Sequence, residues 1–264
     1  MKRQTAIIWV WGLVLIAGAV GGGYAWWRQQ DVTQAYEAGR AAADADRWED
    51  ALALAQPYAD RDDPRINGLL ADAYINGPDS IQDIDKGLTL RRRAAEAGDM
   101  RAAYFLGKWI LENEPTDAQA QEAIGYIQEA ANCGMPLANY ELGLEYAKGE
   151  RVPLDYVHAL QLLEAAAFAG VTEAYIEAGI VNAQEISKSG RDIDYAAKIK
   201  TSYWIFIAAR SGNEEASKIL EGTRTAMREQ KGDEYAASQI SILEREASLW
   251  AKKISPQARL KCLH

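Results

Sequence analysis

From residue 137 to residue 170 the chain reads LANYELGLEYAKGERVPLDYVHALQLLEAAAFAG, and its apolar positions fall into two runs. Ala138, Leu142 and Tyr146 recur four apart; Ala159, Leu163, Ala166 and Ala167 follow in steps of one to four residues. Such spacing gathers apolar groups on one face of a helix, so the stretch predicts two antiparallel helices. Gly149 and Pro153 break the pattern between them. Gly170 offers the left-handed backbone conformation that ends a helix at little steric cost.

That ending recurs. Ala94, Ala95, Gly98 and Ala102 form one copy; Ala130, Ala131, Gly134 and Ala138 the next; Ala166, Ala167, Gly170 and Ala174 the third; Ala208, Ala209, Gly212 and Ala216 the fourth. The glycines stand 36, 36 and 42 residues apart. One period before Gly98 lies Asp62, where Ala59 and Ile66 keep part of the frame, as expected of a degenerate first copy. A period in the thirties predicts a solenoid that grows by adding copies. The small residues at each joint allow neighbouring helix backbones to pack closely.

The unit from Ala138 resembles a Sel1-like repeat, a family related to tetratricopeptide repeats. The resemblance rests on Ala138, Leu142, Gly143, Tyr146, Gly149, Val152, Pro153, Asp155, Ala159, Ala166, Ala167, Gly170 and Ala174. Residues 66–102 carry the same frame through Leu70, Tyr74, Gly77, Asp83, Leu88, Ala94, Ala95 and Gly98. The copy from Ala102 keeps Leu106 and Gly107 but has Ile110 in place of the tyrosine and Asn113 in place of the loop glycine, followed by Pro115. The copy from Ala174 keeps Gly179 and takes its insertion within QEISKSGRDIDYAAK. Upstream, AYEAGRAAADADRWEDALALAQPYA resembles a tetratricopeptide hairpin with Gly39, Trp48 and Ala51 in place. Downstream, DEYAASQISILEREASLWAKKI resembles a closing helix with Ile242, Leu249 and Trp250 turned inward.

The resemblance implies an all-α, right-handed superhelical solenoid of antiparallel helix pairs over residues 32–253, including a C-terminal capping helix, with a tail over 254–264. It further implies that the first helices line a concave groove that holds a protein or peptide partner. By register the groove residues are Tyr104, Lys108, Tyr140, Leu144, Lys148, Ile176 and Ile180.

The apolar pattern changes at the N-terminus. Residues 1–5 are short and basic, and no charge follows until Arg28. At about 1.5 Å rise per residue, the stretch from Ala6 to Ala25 spans the roughly 30 Å hydrocarbon core, which predicts a transmembrane signal anchor over 6–27. Trp9 and Trp11 lie near one end and Trp26 and Trp27 near the other, as interfacial aromatic residues do. Gly18 and Gly22 make a small-xxx-small pair of the kind that lets two such helices approach as a homodimer. Lys2 and Arg3 place the N-terminus in the cytoplasm by the positive-inside rule. The repeats would then sit in the periplasm, on a single-pass anchor in a bacterial inner membrane. Ala17-Gly18-Ala19 also reads as a small-x-small cleavage site, which leaves open a cleaved signal peptide.

Charge narrows the partner. With 38 acidic against 29 basic residues the chain carries a net charge of −9, which argues against nucleic acid and favours a cationic patch on a protein. The two cysteines, Cys133 and Cys262, match neither a disulfide framework nor a metal-ligand spacing, though they allow an isolated bridge. Catalytic chemistry is sparse. His158 begins a predicted helix as a surface residue, and His264 ends the chain. Asp192 and Asp194 lie in the insertion without a pocket-forming context. No phosphate loop follows a strand. The expectation is a non-enzymatic scaffold without cofactor or metal, acting in an envelope assembly such as a secretion, polysaccharide-export or surface-appendage machine. The alternative, after signal-peptide cleavage, is a secreted effector or a cell-wall-related ligand-binding protein or hydrolase.

Overall fold

The computed structural model describes residues 31–189 and 195–254, and every regular element among them is helical. Helix α1 covers residues 31–44. It is followed by α2 (Trp48–Ala55), a 3₁₀ turn (Gln56–Arg61), α3 (Pro64–Asn76), α4 (Ile84–Glu96), α5 (Met100–Glu112) and α6 (Asp117–Asn132). Then come α7 (Pro136–Lys148), α8 (Tyr156–Phe168), α9 (Glu173–Ser189), α10 (Tyr195–Arg210), α11 (Glu214–Lys231) and α12 (Asp233–Ala251). Consecutive helices pack as pairs, α3 on α4, α7 on α8 and α9 on α10. The chain packs as two compact units, divided between Leu106 and Gly107, so that α5 contributes to both.

Each joint has one hydrogen-bond pattern. Gly170 has φ +94°. Its N–H donates to Ala167 O at 3.0 Å, and the Val171 N–H donates to Ala166 O at 3.1 Å. These bonds satisfy two of the carbonyls that a helix end leaves open. The same pair of bonds joins Gly98 and Asp99 to Ala95 and Ala94, Gly134 and Met135 to Ala131 and Ala130, and Gly212 and Asn213 to Ala209 and Ala208. In the degenerate copy Asp62 itself takes φ +57°, so a side chain that tolerates the left-handed region stands in for the glycine.

The loop within each pair also follows from its residues. Gly149 ends α7 with φ +69°. Asp155 then starts α8 by accepting from the His158 N–H, as Asp83 starts α4 by accepting from the Lys86 N–H. Where Asn113 replaces the loop glycine, Glu114 adopts the left-handed conformation one residue later, at φ +48°. Thr116 opens α6 with a capping box to Gln119.

The second unit has a core of Ala159, Leu163, Ala166, Ala174, Val181, Trp204 and their neighbours, and the first is built on Ile66, Leu69 and Leu70 with Ala42, Ala43, Ala51 and Ala55. Ala138, Leu142, Ala159, Leu163, Ala166 and Ala167 are all fully buried, as their spacing predicts. Trp204 sits among Phe168, Tyr175 and Trp250, with ring centroids 5.1, 6.1 and 5.4 Å away. Its indole N–H donates to Glu164 Oε1 at 3.0 Å.

The closing helix departs from expectation. Trp250 packs into the aromatic cluster, but Ile242 and Leu249 are exposed. The inward stripe of α12 is Ala236, Ile240, Leu243 and Ala247. Ile242, two residues past Ile240, is about 200° round the helix and faces away from the core. Cys133 is buried and disulfide-bonded; Cys262 lies outside the described residues. The same is true of the anchor expected over 6–27, with Trp9, Trp11, Gly18, Gly22, Trp26 and Trp27, and of Asp192 and Asp194. Among the described residues no helix is long and apolar enough to cross a membrane.

Candidate functional site

In the second unit the first helices α7 and α9 touch and present a mixed face. Tyr140 and Leu144 on α7 and Ile180 on α9 are half-buried against the core, and Lys148 is exposed at the end of α7. Burial raises the Tyr140 hydroxyl above its ordinary pKa, and the carboxylates of Glu177, Glu141 and Glu173 add to that. Burial also raises Glu177, with Glu215 pushing the same way and Lys148 opposing. Lys108, on α5, is drawn to Glu141 at 3.0 Å and to Glu112 at 3.7 Å. The face therefore has apolar edges set among more acids than bases, a surface suited to a basic, partly apolar segment.

Two of the residues expected on this surface are elsewhere. Tyr104 is 3% exposed and Ile176 is 5% exposed. Residues 102–104 are buried without a break, and so are residues 174–176. Ile176 is enclosed because α9 packs against α7, α8 and α10, which hides a wider arc than one apolar stripe. Neither side chain can greet a partner.

The first unit holds a second, polar cluster that periodicity does not reveal. Asp72 on α3 is buried at the centre. Arg91 Nη2 donates to its Oδ1 and Arg40 Nη1 to its Oδ2, both at 2.7 Å. Arg101 Nε lies 3.5 Å from Oδ2. Arg65 forms a forked pair with Asp63 at 3.1 and 2.9 Å and lies 5.6 Å from the centre of the Tyr36 ring. Asp99 caps α5 by accepting from the Ala102 N–H at 2.8 Å. Burial raises Asp99 above its ordinary pKa and raises the Tyr36 phenol, which Asp99 raises further. The one signal in the sequence was Asp72 itself, a charge within the apolar run Leu69-Leu70-Ala71-Asp72-Ala73-Tyr74. A charge inside such a run needs partners.

His158 stacks edge-on against Tyr146 at 4.5 Å at the start of α8. Among the described residues no group of His, Cys, Asp and Glu is placed to hold a metal ion.

The Sel1 repeat family model matches residues 69–99, 101–135 and 136–170. These segments, which run from within α3 through α8, match the Sel1 repeat. Two solved structures share the fold. A Sel1 repeat protein from Oxalobacter formigenes superposes with a TM-score of 0.60 at 24% identity, covering 83% of this chain and 88% of that one. The protein c5321, a protective antigen of uropathogenic Escherichia coli strains displaying an SLR fold, superposes with a TM-score of 0.60 at 21% identity over 89% of this chain. The chain spans half the length of c5321. A search of curated proteins finds no match. The architecture is therefore an all-α helical repeat solenoid, and proteins built from Sel1 repeats are generally protein-interaction scaffolds.

Proposed function

We propose that this chain of Sel1 repeats is a non-enzymatic scaffold that holds a protein partner on the face of α7 and α9. The observation that carries the reading is the set of half-buried apolar edges of Tyr140, Leu144 and Ile180 beside Lys148 and Glu177. A helix face whose apolar groups are neither fully covered nor dispersed is a surface for association. We further propose that residues 6–27 anchor the chain in a bacterial inner membrane, with the repeats in the periplasm as part of an envelope assembly.

A pull-down from detergent extract tests the scaffold, with wild-type chain compared with the double variant Leu144→Glu, Ile180→Glu. Loss of a partner from the double variant is expected, and an unchanged set of partners overturns the assignment of this face. Intact mass in the membrane fraction tests the anchor. A chain that retains residues 1–19 there is expected; a soluble chain lacking them makes the protein secreted.

A further inference from the structure

We infer that the hollow between α1, α3 and α5 in the first unit is a binding site for a carboxylate on an acidic segment of a protein partner, with Arg101 and Tyr36 as its donors. The inference rests on the scaffold reading above and names a chemistry that the overall negative charge does not suggest.

The argument begins at Asp72, both of whose oxygens are already committed at 2.7 Å, one to Arg91 and the other to Arg40. Arg101 arrives third. It reaches ion-pair distance at 3.5 Å, but its Nε is buried and has no hydrogen-bond partner. The Phe105 ring, 5.0 Å from the guanidinium carbon, holds it from the side. The side chain is nevertheless 40% exposed. Arg101 is thus a planar fork of donors, fixed at its base and open at its tip. Such a fork matches the two oxygens of a carboxylate.

Tyr36 lines the same hollow from α1. Arg65 fixes its ring, while its hydroxyl takes part in no hydrogen bond among the described residues. Gly68 forms the floor, where a Cβ would lie 3.1 Å from Asp99 Oδ2. The remaining cavity of about 10 Å³ holds roughly one water or one ligand oxygen. Arg40 on the wall is already paired with Asp72 and Asp44 and Arg65 with Asp63, which leaves Arg101, the most distant of the partners of Asp72, as the charge in excess. Asp99 limits that excess, so a single negative charge fits better than a phosphate dianion.

Fluorescence anisotropy with the full chain in detergent tests the site. The probes are labelled Gly-Ser decapeptides: one with two internal Glu residues and an amidated end, one with Gln in their place and a free C-terminal carboxylate, and one with Gln and an amidated end. One or both carboxylate peptides should bind, showing whether a side chain or a chain terminus is preferred, and the third should not. Arg101→Gln should weaken binding roughly tenfold or more, the loss of a charge-assisted hydrogen bond. Tyr36→Phe, which keeps the ring and its contact with Arg65, should weaken it by a smaller factor. Thermal melting confirms that both variants fold.

Equal binding of all three peptides, equal binding by Arg101→Gln, or displacement by inorganic phosphate at concentrations below the peptide's own Kd overturns the inference. If the peptides fail while a partner is still lost from the Leu144→Glu, Ile180→Glu chain, only the carboxylate site falls. If that partner set is also unchanged, the scaffold reading falls with it.

Discussion

Gly143 on α7 and Leu163 on α8 approach so closely that a Cβ on the glycine would stand 2.8 Å from Leu163 Cγ, with the Ala159 carbonyl oxygen at 3.2 Å. The glycine of the repeat's Leu-Gly pair is therefore a packing residue, which sets how near the first helix comes to the second. Gly107 makes the same approach to α6, 2.7 Å from Ala123 O and 2.8 Å from Ile127 Cγ1.

Gly143→Ala should destabilise the fold by about 1–3 kcal/mol through overpacking, although alanine is the better helix former. Gly125 in α6 is the control, because a Cβ there meets nothing within 4 Å. Gly125→Ala should stabilise by about 0.5–1 kcal/mol. Urea denaturation of both variants checks the signs; two shifts in the same direction would refute the packing account.

At the joints the cost is one of backbone conformation. Gly212 has φ +92° and open space around its Cα, so Gly212→Ala should cost about 1–2 kcal/mol without any clash. Gly212→Asn should cost distinctly less, because asparagine visits the left-handed region more readily. Equal losses for the two would point to something other than φ.

Trp204 is the largest fully buried side chain of the second unit. Trp204→Ala should cost about 3–5 kcal/mol. Trp204→Phe keeps an aromatic ring in the cluster and should cost much less. Its hydrogen bond to Glu164 is lost, but Glu164 keeps its ion pair with Lys200 at 2.6 Å. Chemical denaturation followed by circular dichroism separates the two variants.

Asp99 gives a pH dependence of definite sign. Burial raises its folded pKa above the unfolded value, against the backbone hydrogen bonds from Ala102 and Arg101, while Asp72 raises it and the Arg101 charge lowers it. Between the two pKa values the folded state binds more protons, so stability falls as pH rises through that window. Asp99→Asn keeps an acceptor for the Ala102 N–H and removes the titration. The variant should show a flatter stability profile from the ordinary carboxylate pKa upward, and higher stability at neutral pH. A melting-temperature series from acid to neutral pH in which the variant parallels the wild type would exclude this role for Asp99.

Much of the architecture was legible in the sequence because its signals are short-range. Apolar residues three and four apart need only one helix to share a face, Gly98 and Gly170 need only their own φ, and Asp83 and Asp155 cap helices three residues away. Even the departures were marked: Asp62 where a glycine was due, and Asn113 where the loop glycine was missing.

Exposure was another matter. Whether Tyr104, Ile176, Ile242 or Leu249 faces solvent depends on how wide an arc of each helix its neighbours cover. Tertiary packing buried the first two and left the last two outside. The arginine cluster is the clearest case. Arg40 and Arg91 meet Asp72 across 32 and 19 residues of chain, from three different helices. No local spacing encodes such a meeting, because it follows from the stacking of successive helix pairs. The sequence by itself determined the repeat, its caps and its turns; the folded chain alone decided which side chains the repeats bring together and which are left at the surface.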